Sequence, residues 1–269
     1  MIKFMKLFFL DLDGTLLTTD KKISPATFNA LKNFAAHGNR FVICTGRDLQ
    51  SSKSVCNSLN LTFSGTIIAS FNGGLIYDLE NNKILKRIGI PFDTVKKVLE
   101  IANEYHIYVH TYNDNYIVSN SYSDEMTFYR RAIRTPAIIT DNIMNELTYE
   151  PCKLIAIELH DFNKLEEFRI ALSKNFSSAL NVIYSNKNYL EIIPKLSGKG
   201  NAVKSLAEIL NIPLYDTIAA GDEENDISMI KTANLGIAMI NGKESVKKSA
   251  DVITKNDNDH DGLVPFFRI

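Results

Sequence analysis

Apolar residues in this chain come in short bursts, and stretches of helical spacing separate them. Leu7 to Leu10 is too short a run for a helix and is rich in Leu and Phe, which predicts a buried strand. Ser24-Pro25 then opens a helix, with serine as the N-cap and proline at the first helical position. Phe28, Leu31, Phe34 and Ala35 follow at helical spacing, and His37-Gly38 marks the stop. Arg40 to Thr45 reads as a second buried strand, residues 48–59 as a helix around Val55 and Leu59, and Thr66 to Phe71 as a third strand. Short strands alternating with helices predict right-handed parallel crossovers and a doubly wound α/β sheet.

The rhythm changes after Asn72-Gly73-Gly74. Residues 75–90 predict a hairpin around Glu80-Asn81-Asn82, and 93–105 an amphipathic helix with Val95, Val98, Leu99 and Ala102 on one face. Strands at 107–112 and 116–119 flank Asn113-Asp114-Asn115. A helix from Asp124 to Arg134, a strand at 153–159, a helix at 163–175 and strands near 181–185 and 189–193 complete a mixed block. From Lys199 the alternation returns. Ala202, Val203, Leu206 and Ile209 mark a helix, 217–221 a strand, Ile227, Met229 and Ile230 a helix, 235–239 a strand, 243–249 a short helix and 251–254 a last strand. The expected organisation is a doubly wound core of residues 1–83 and 189–269, interrupted by an inserted α+β domain at 84–188.

Composition narrows the function classes. The 269 residues are 45% hydrophobic with a net charge of −1 and no block of like charge, so no nucleic-acid surface is expected. No apolar stretch approaches a membrane span, and the LFFL run is too short for a signal-peptide core. Three scattered cysteines, Cys44, Cys56 and Cys152, read as reduced thiols of a cytoplasmic protein. The five histidines lack zinc-ligand spacing. His106 and His110 would share one strand face without a third ligand.

Candidate chemistry clusters at the carboxyl ends of the expected strands, where ligands bind in a doubly wound sheet. Asp11 and Asp13 follow the first strand and would leave an extended backbone on the same side, each raising the pKa of the other. A bound cation is the simplest remedy. Thr45, Gly46 and Arg47 follow the second strand, Asn72 and Gly73 the third, and Asp222 to Asp226 the 217–221 strand, while Lys199 opens the helix before it. The set suits phosphoryl transfer: carboxylates with Mg²⁺ to accept a phosphate dianion, a lysine to neutralise charge, and hydroxyl and N–H groups to hold oxygens. A carboxylate can attack phosphorus, and a second can move the proton.

These residues resemble the motifs of the haloacid dehalogenase (HAD) superfamily of aspartate-nucleophile phosphatases. DLDGTL (11–16) is similar to its first motif, Thr45 in ICTGR to its second, Lys199 to its third and GDEEND (221–226) to its fourth. The long insert, Asn72-Gly73 and the closing stretch Ala250-Asp251 to Asp261-Gly262 resemble Cof-type sugar-phosphate phosphatases with a type IIB cap. The resemblance implies Asp11 as nucleophile and Mg²⁺ ligand, and Asp13 as general acid/base with its carbonyl on the metal. It implies Asp222 as a further metal ligand and Lys199 stabilising nucleophile and phosphoryl group. Leu12, Thr45, Gly46, Asn72 and Asn225 would bind phosphate or substrate, and Asp226 would orient Lys199 or a metal-bound water. The expected substrate is a small phosphorylated metabolite, the expected state a monomer or small homo-oligomer, and Arg130, Arg131, Arg134, Lys187 and Tyr189 are cap candidates for selecting the leaving group. One departure stands out: Leu196-Ser197-Gly198 precedes Lys199 where the family usually has Gly-Val-Ser.

Two motifs read as decoys. Asp257, Asp259, Asp261 and Gly262 mimic the start of a calcium loop, but the twelfth position is Arg268, so an acidic loop near the active-site rim is expected. Residues 194–203 mimic a phosphate loop, but Gly200 follows Gly198-Lys199 where Ser or Thr is needed. A phosphomutase or phosphotransferase, and a phospho-accepting receiver-like signalling module, are the competing readings.

Overall fold

The computed structural model describes residues 5–131, 133 and 135–268. It contains two compact units, one of residues up to Arg47, Ser52–Lys86 and Gly198 onward, the other of Asp48–Ser51 and Arg87–Ser197. The expected boundary at 84 falls inside the strand Lys83–Arg87, whose last residue already belongs to the second unit, and that at 188 inside an antiparallel hairpin of the second.

In the first unit strands β1 (Leu7–Leu10), β2 (Arg40–Cys44), β3 (Thr66–Ser70), β4 (Leu75–Asp78) and β5 (Lys83–Arg87) come from the N-terminal half. A second group, β12 (Thr217–Gly221), β13 (Leu235–Ala238) and β14 (Val252–Ile253), comes from the C-terminal part. The sheet order is β14-β13-β12-β1-β2-β3-β4-β5. It is parallel from β14 to β3, and β4 turns back antiparallel on β3. The order reverses direction at β1, which lies between β2 and β12, so the crevice at the carboxyl ends of β1 and β12 is a topological switch point.

Both faces of this sheet are covered, which is why β1 is apolar at every position. Leu7 and Phe9 pack with Val203 and Leu206 of α6 (Lys199–Ile209) and Met229 of α7 (Ile227–Thr232). Phe8 packs on the other face against Phe34 of α1 (Pro25–Ala36) and Phe267, with ring centroids 6.1 and 5.1 Å away. Ser24 caps α1 by accepting from Thr27 N–H, as the sequence predicts. Helices α2 (Leu49–Ser58) and α8 (Glu244–Lys247) complete the crossovers. Of the residues that mark α6 in the sequence, Ala202, Val203 and Leu206 are buried and Ile209 is exposed, while Ala207 is also buried.

The second unit has strands β6 (Tyr108–Tyr112), β7 (Ile117–Ser119), β8 (Ala137–Ile139), β9 (Leu154–Ile157), β10 (Leu180–Asn186) and β11 (Tyr189–Pro194), ordered β10-β11-β9-β6-β7-β8. All the pairings are antiparallel except β7 with β8. One face holds an apolar core with α3 (Phe92–Glu104) and α5 (Phe162–Phe176), built on Val95, Val98, Leu165, Phe168 and Leu172. Helix α4 (Asp124–Arg130) ends sooner than expected. Pro136 starts the approach to β8, and its carbonyl accepts from Ile117 N–H, so the chain must already be extended there. The expected end at Arg134 lies outside the described residues. His106 is not in β6. It precedes the strand with a left-handed φ of 52°, so it does not share a strand face with His110. No helix among the described residues is long and apolar enough to cross a membrane.

Candidate active site

Parallel pairing brings the ends of β1 and β12 level, and Asp11 N–H donates to the Ala220 carbonyl at 3.1 Å. The side chains that follow both strands therefore meet. Lys199, the first residue of α6, is fully buried and pairs with Asp11 and with Asp226 Oδ1, the latter at 2.6 Å. Asp226 Oδ2 accepts the backbone N–H groups of Asp222 and Glu223, each at 3.0 Å, which draws the turn after β12 around it. Only glycine fits at 221, where a Cβ would lie 2.3 Å from Asp226 Cβ. Asp222 Oδ1 accepts from Thr15 Oγ1 at 2.6 Å. Carboxylate oxygens of Asp11, Asp222 and Asp226 lie within 4.8 Å of one another.

Three carboxylates therefore face one buried ammonium. Burial pushes the Asp11 carboxyl up to about 7 against the pull of Lys199. It pushes Asp222 up to about 6 against the Thr15 hydrogen bond. Burial works to lower Lys199, but Asp11 and Asp226 outweigh it and hold the ammonium above its usual range. The donor set is all oxygen, acidic and short of positive charge, and so fits a hard divalent cation.

Asp13 does not join that cluster. Its carboxylate is gripped by Arg47, with Nη2 at 2.8 Å from each oxygen and Nε at 3.1 Å from Oδ2, and by Lys21 Nζ at 2.7 Å. Desolvation opposes it, but the Lys21 and Arg47 bonds prevail and hold its pKa below the usual value. The expectation that Asp11 and Asp13 raise each other is thus corrected: only Asp11 is raised, because Asp13 has two cations of its own. Arg47 stands in the TGR triplet, where the sequence shows it without a role. Lys21 carried no signal, since only a left-handed turn (φ 59° at Lys21) brings it back to Asp13.

Around the end of β2, Thr45 Oγ1 accepts from Arg47 N–H at 3.2 Å. Phe71, Asn72 and Gly73 run through three consecutive left-handed conformations (φ 51°, 54° and 86°). Asn72 N–H donates to the Thr45 carbonyl at 2.9 Å, and its Oδ1 accepts from Asn225 Nδ2 at 3.1 Å. Gly46 faces the same amide, since a Cβ there would lie 3.3 Å from Asn72 Oδ1. Thr45, Gly46, Asn72 and Asn225 are thus neighbours. The Leu12 side chain is fully buried, so a phosphate could meet only its backbone.

In the second unit, Arg130 Nε is buried with no hydrogen-bond partner among the described residues, Tyr189 lies edge-on to Tyr129, and Arg131 and Lys187 are exposed. Arg134 is outside the described residues. The calcium-like loop does not gather its carboxylates on one point. Asp259 accepts from Thr19, Asp261 from Ser24 and Thr27, and Asp257 from Asp259 N–H.

Residues 8–267 match the family of haloacid dehalogenase-like hydrolases. Among curated proteins, the chain is 29% identical over 289 residues to a 5-amino-6-(5-phospho-D-ribitylamino)uracil phosphatase of Bacillus subtilis, covering 97% of this chain and 96% of that one. It is 28% identical over 279 residues to the phosphatase YwpJ of the same organism, covering 95% and 96%. A haloacid dehalogenase-like hydrolase from Bacteroides thetaiotaomicron superposes with a TM-score of 0.88 at 30% identity, covering 98% of each chain.

Proposed function

The chain belongs to the haloacid dehalogenase-like hydrolases and is a phosphatase of small phosphorylated metabolites; from that premise we propose that it hydrolyses sugar phosphates through an aspartyl phosphate on Asp11. The observation that carries this reading is the convergence of Asp11, Asp222 and Asp226 on buried Lys199. A relative acts, by its name, on a phosphorylated ribityl chain, which supports a sugar-like alcohol as leaving group.

Asp11 attacks phosphorus, and the Lys199 ammonium neutralises both the nucleophile and the incoming phosphoryl group. Asp226 keeps Lys199 in that place. Thr45, Gly46, Asn72 and Asn225 hold the phosphoryl oxygens and the adjoining part of the substrate. Asp11, Asp222 and the carbonyl of Asp13 would hold Mg²⁺, which when bound supplies the positive charge this acidic cluster and the phosphate lack. Asp13 handles the proton. An ester that binds as the monoanion brings one proton, which Asp13 relays to the departing alcohol oxygen. In the second step the Asp13 carboxylate takes a proton from the water that displaces Asp11 from phosphorus.

The test is a phosphate-release screen over sugar phosphates, nucleotides and pyridoxal phosphate, with Mg²⁺ or with chelator. Sugar phosphates should lead, chelator should abolish release, and Asp11→Asn should lose more than about a thousandfold. Undiminished turnover by Asp11→Asn would overturn the nucleophile. A lead by nucleotides would overturn the substrate class, and sugar-phosphate isomerisation without free phosphate would make the enzyme a mutase.

A further inference from the structure

The loop that mimics a calcium site has a different task. Asp259 accepts Thr19 N–H on Oδ1 and Thr19 Oγ1 on Oδ2, both at 2.7 Å. Its neighbour Asn258 donates through Nδ2 to the Leu17 carbonyl at 2.8 Å, and Asn241, which accepts from Asn258 N–H, donates to the Gly14 carbonyl at 2.8 Å. Asp261 accepts from Ser24 Oγ and from Thr27 Oγ1. The loop at 257–261 therefore grips the segment between Asp13 and α1 at Leu17, Thr19 and Ser24, together with the first turn of α1, and Asn241, tied to it through Asn258, holds Gly14.

That segment carries Lys21. Its turn is closed by Lys21 N–H to the Thr18 carbonyl (2.8 Å) and Thr18 N–H to the Lys22 carbonyl (2.9 Å). Thr19 to Lys22 are all exposed, so no buried apolar surface holds the tip. A turn of this kind frays easily, and a lysine on it keeps many rotamers. Yet Lys21 Nζ must meet Asp13 at 2.7 Å.

We propose that Asp259 is a positioning residue for phosphoryl transfer, which holds the Thr18–Lys22 turn so that Lys21, with Arg47, fixes the Asp13 carboxylate in the attitude it needs for proton transfer. The inference rests on Asp13 as the acid/base of the function proposed above. It makes the acidic loop part of the reaction's scaffold, reaching the chemistry through two intermediaries.

The experiment compares kcat/KM, which covers the steps through departure of the alcohol, for glycerol phosphate and para-nitrophenyl phosphate with Mg²⁺ present. The alkyl ester needs its oxygen protonated and the nitrophenolate does not, so a fault in Asp13 costs the first far more than the second. Asp259→Ala should lose about tenfold on glycerol phosphate and less than about twofold on para-nitrophenyl phosphate. Asp259→Asn, whose amide can accept from Thr19 N–H and donate to Thr19 Oγ1, should recover most of the loss. On a Lys21→Met background Asp259→Ala should cost nothing more, because both act through one contact. Equal losses on both esters, or additive losses in the double variant, overturn the proposal. Asp13→Asn separates the two levels. If it too loses equally on both esters, the acid/base reading fails and takes this inference with it. If it discriminates while Asp259→Ala does not, only this inference fails.

Discussion

Asp11 and Asp13 stand two residues apart and end in opposite electrostatic states. Asp11 shares a buried cluster in which carboxylates outnumber ammonium groups, and burial pushes it up to about 7. Asp13 is 40% exposed and faces two cations. The sequence shows both carboxylates and the need for positive charge near them, but not which one receives it. Gly14, between Asp13 and Thr15, shows a second kind of constraint. Its φ is +83°, and a Cβ would sit 2.4 Å from Asp222 Oδ2. Gly38 has nearly the same φ, +82°, and nothing within 4 Å of its Cβ. Alanine at either position should cost about 1–2 kcal/mol from the left-handed backbone alone. Urea unfolding should report that loss for both, whereas phosphate release should fall only in Gly14→Ala, where Asp222 is displaced. Equal activity in the two variants would mean that the Asp222 carboxylate tolerates the crowding.

At the scale of elements, β6 shows how a strand can be predicted correctly and still hide its chemistry. Val109 joins the apolar core on one face, as alternation requires. His110 points to the other face, fully buried, with neither ring nitrogen hydrogen-bonded among the described residues and its ring 4.5 Å from that of Tyr129. Tyr108, Tyr112 and Lys153 also face it. Burial, and then Lys153, lower its pKa from 6.5 to about 3. The folded state thus resists a proton that the unfolded chain accepts. Stability is full above pH 6.5 and declines as the pH falls toward 3, by up to about 1.4 kcal/mol per pH unit. Chemical denaturation at pH 7.5 and 4.5 should show His110→Phe losing less stability than the parent over that interval. Parallel losses would assign the acid sensitivity elsewhere. Helix α4 makes the opposite point. The helix expected over 124–134 runs only from Asp124 to Arg130, and the chain pairs as β8 with β7 from Ala137. Strand β8 itself is three residues long, too short to stand out from the pattern around it.

At the scale of the molecule, the second unit is almost one unbroken segment, Arg87–Ser197, with its own sheet and its own apolar core. A segment of that size can bury enough surface to fold alone. Residues 87–197 expressed by themselves should unfold cooperatively and give dispersed amide resonances. A collapsed product without fixed side-chain signals would show that the unit depends on the rest of the chain. The first unit cannot be cut in this way. Its sheet takes β1 to β5 from one end of the sequence and β12 to β14 from the other, and β1 pairs with strands from both.

What the sequence by itself determined is what depends on local spacing: where apolar bursts make strands, where serine and proline start α1, and the order of motifs that marks the family. The class of chemistry follows too, because carboxylates, Thr45 and Lys199 come at the ends or starts of predicted elements. Only the tertiary structure decided the pairings. Lys199 lies 188 residues from Asp11, and Asp259 lies 240 from Thr19. Hydrophobic periodicity is written within a few turns of chain. A hydrogen bond or ion pair depends on where crossovers return the backbone, and on whether one left-handed residue such as Lys21 bends a loop back upon itself. For that reason the acidic loop at 257–261 could be read from sequence as a spurious calcium site. In the fold it is the support of the segment that follows Asp13.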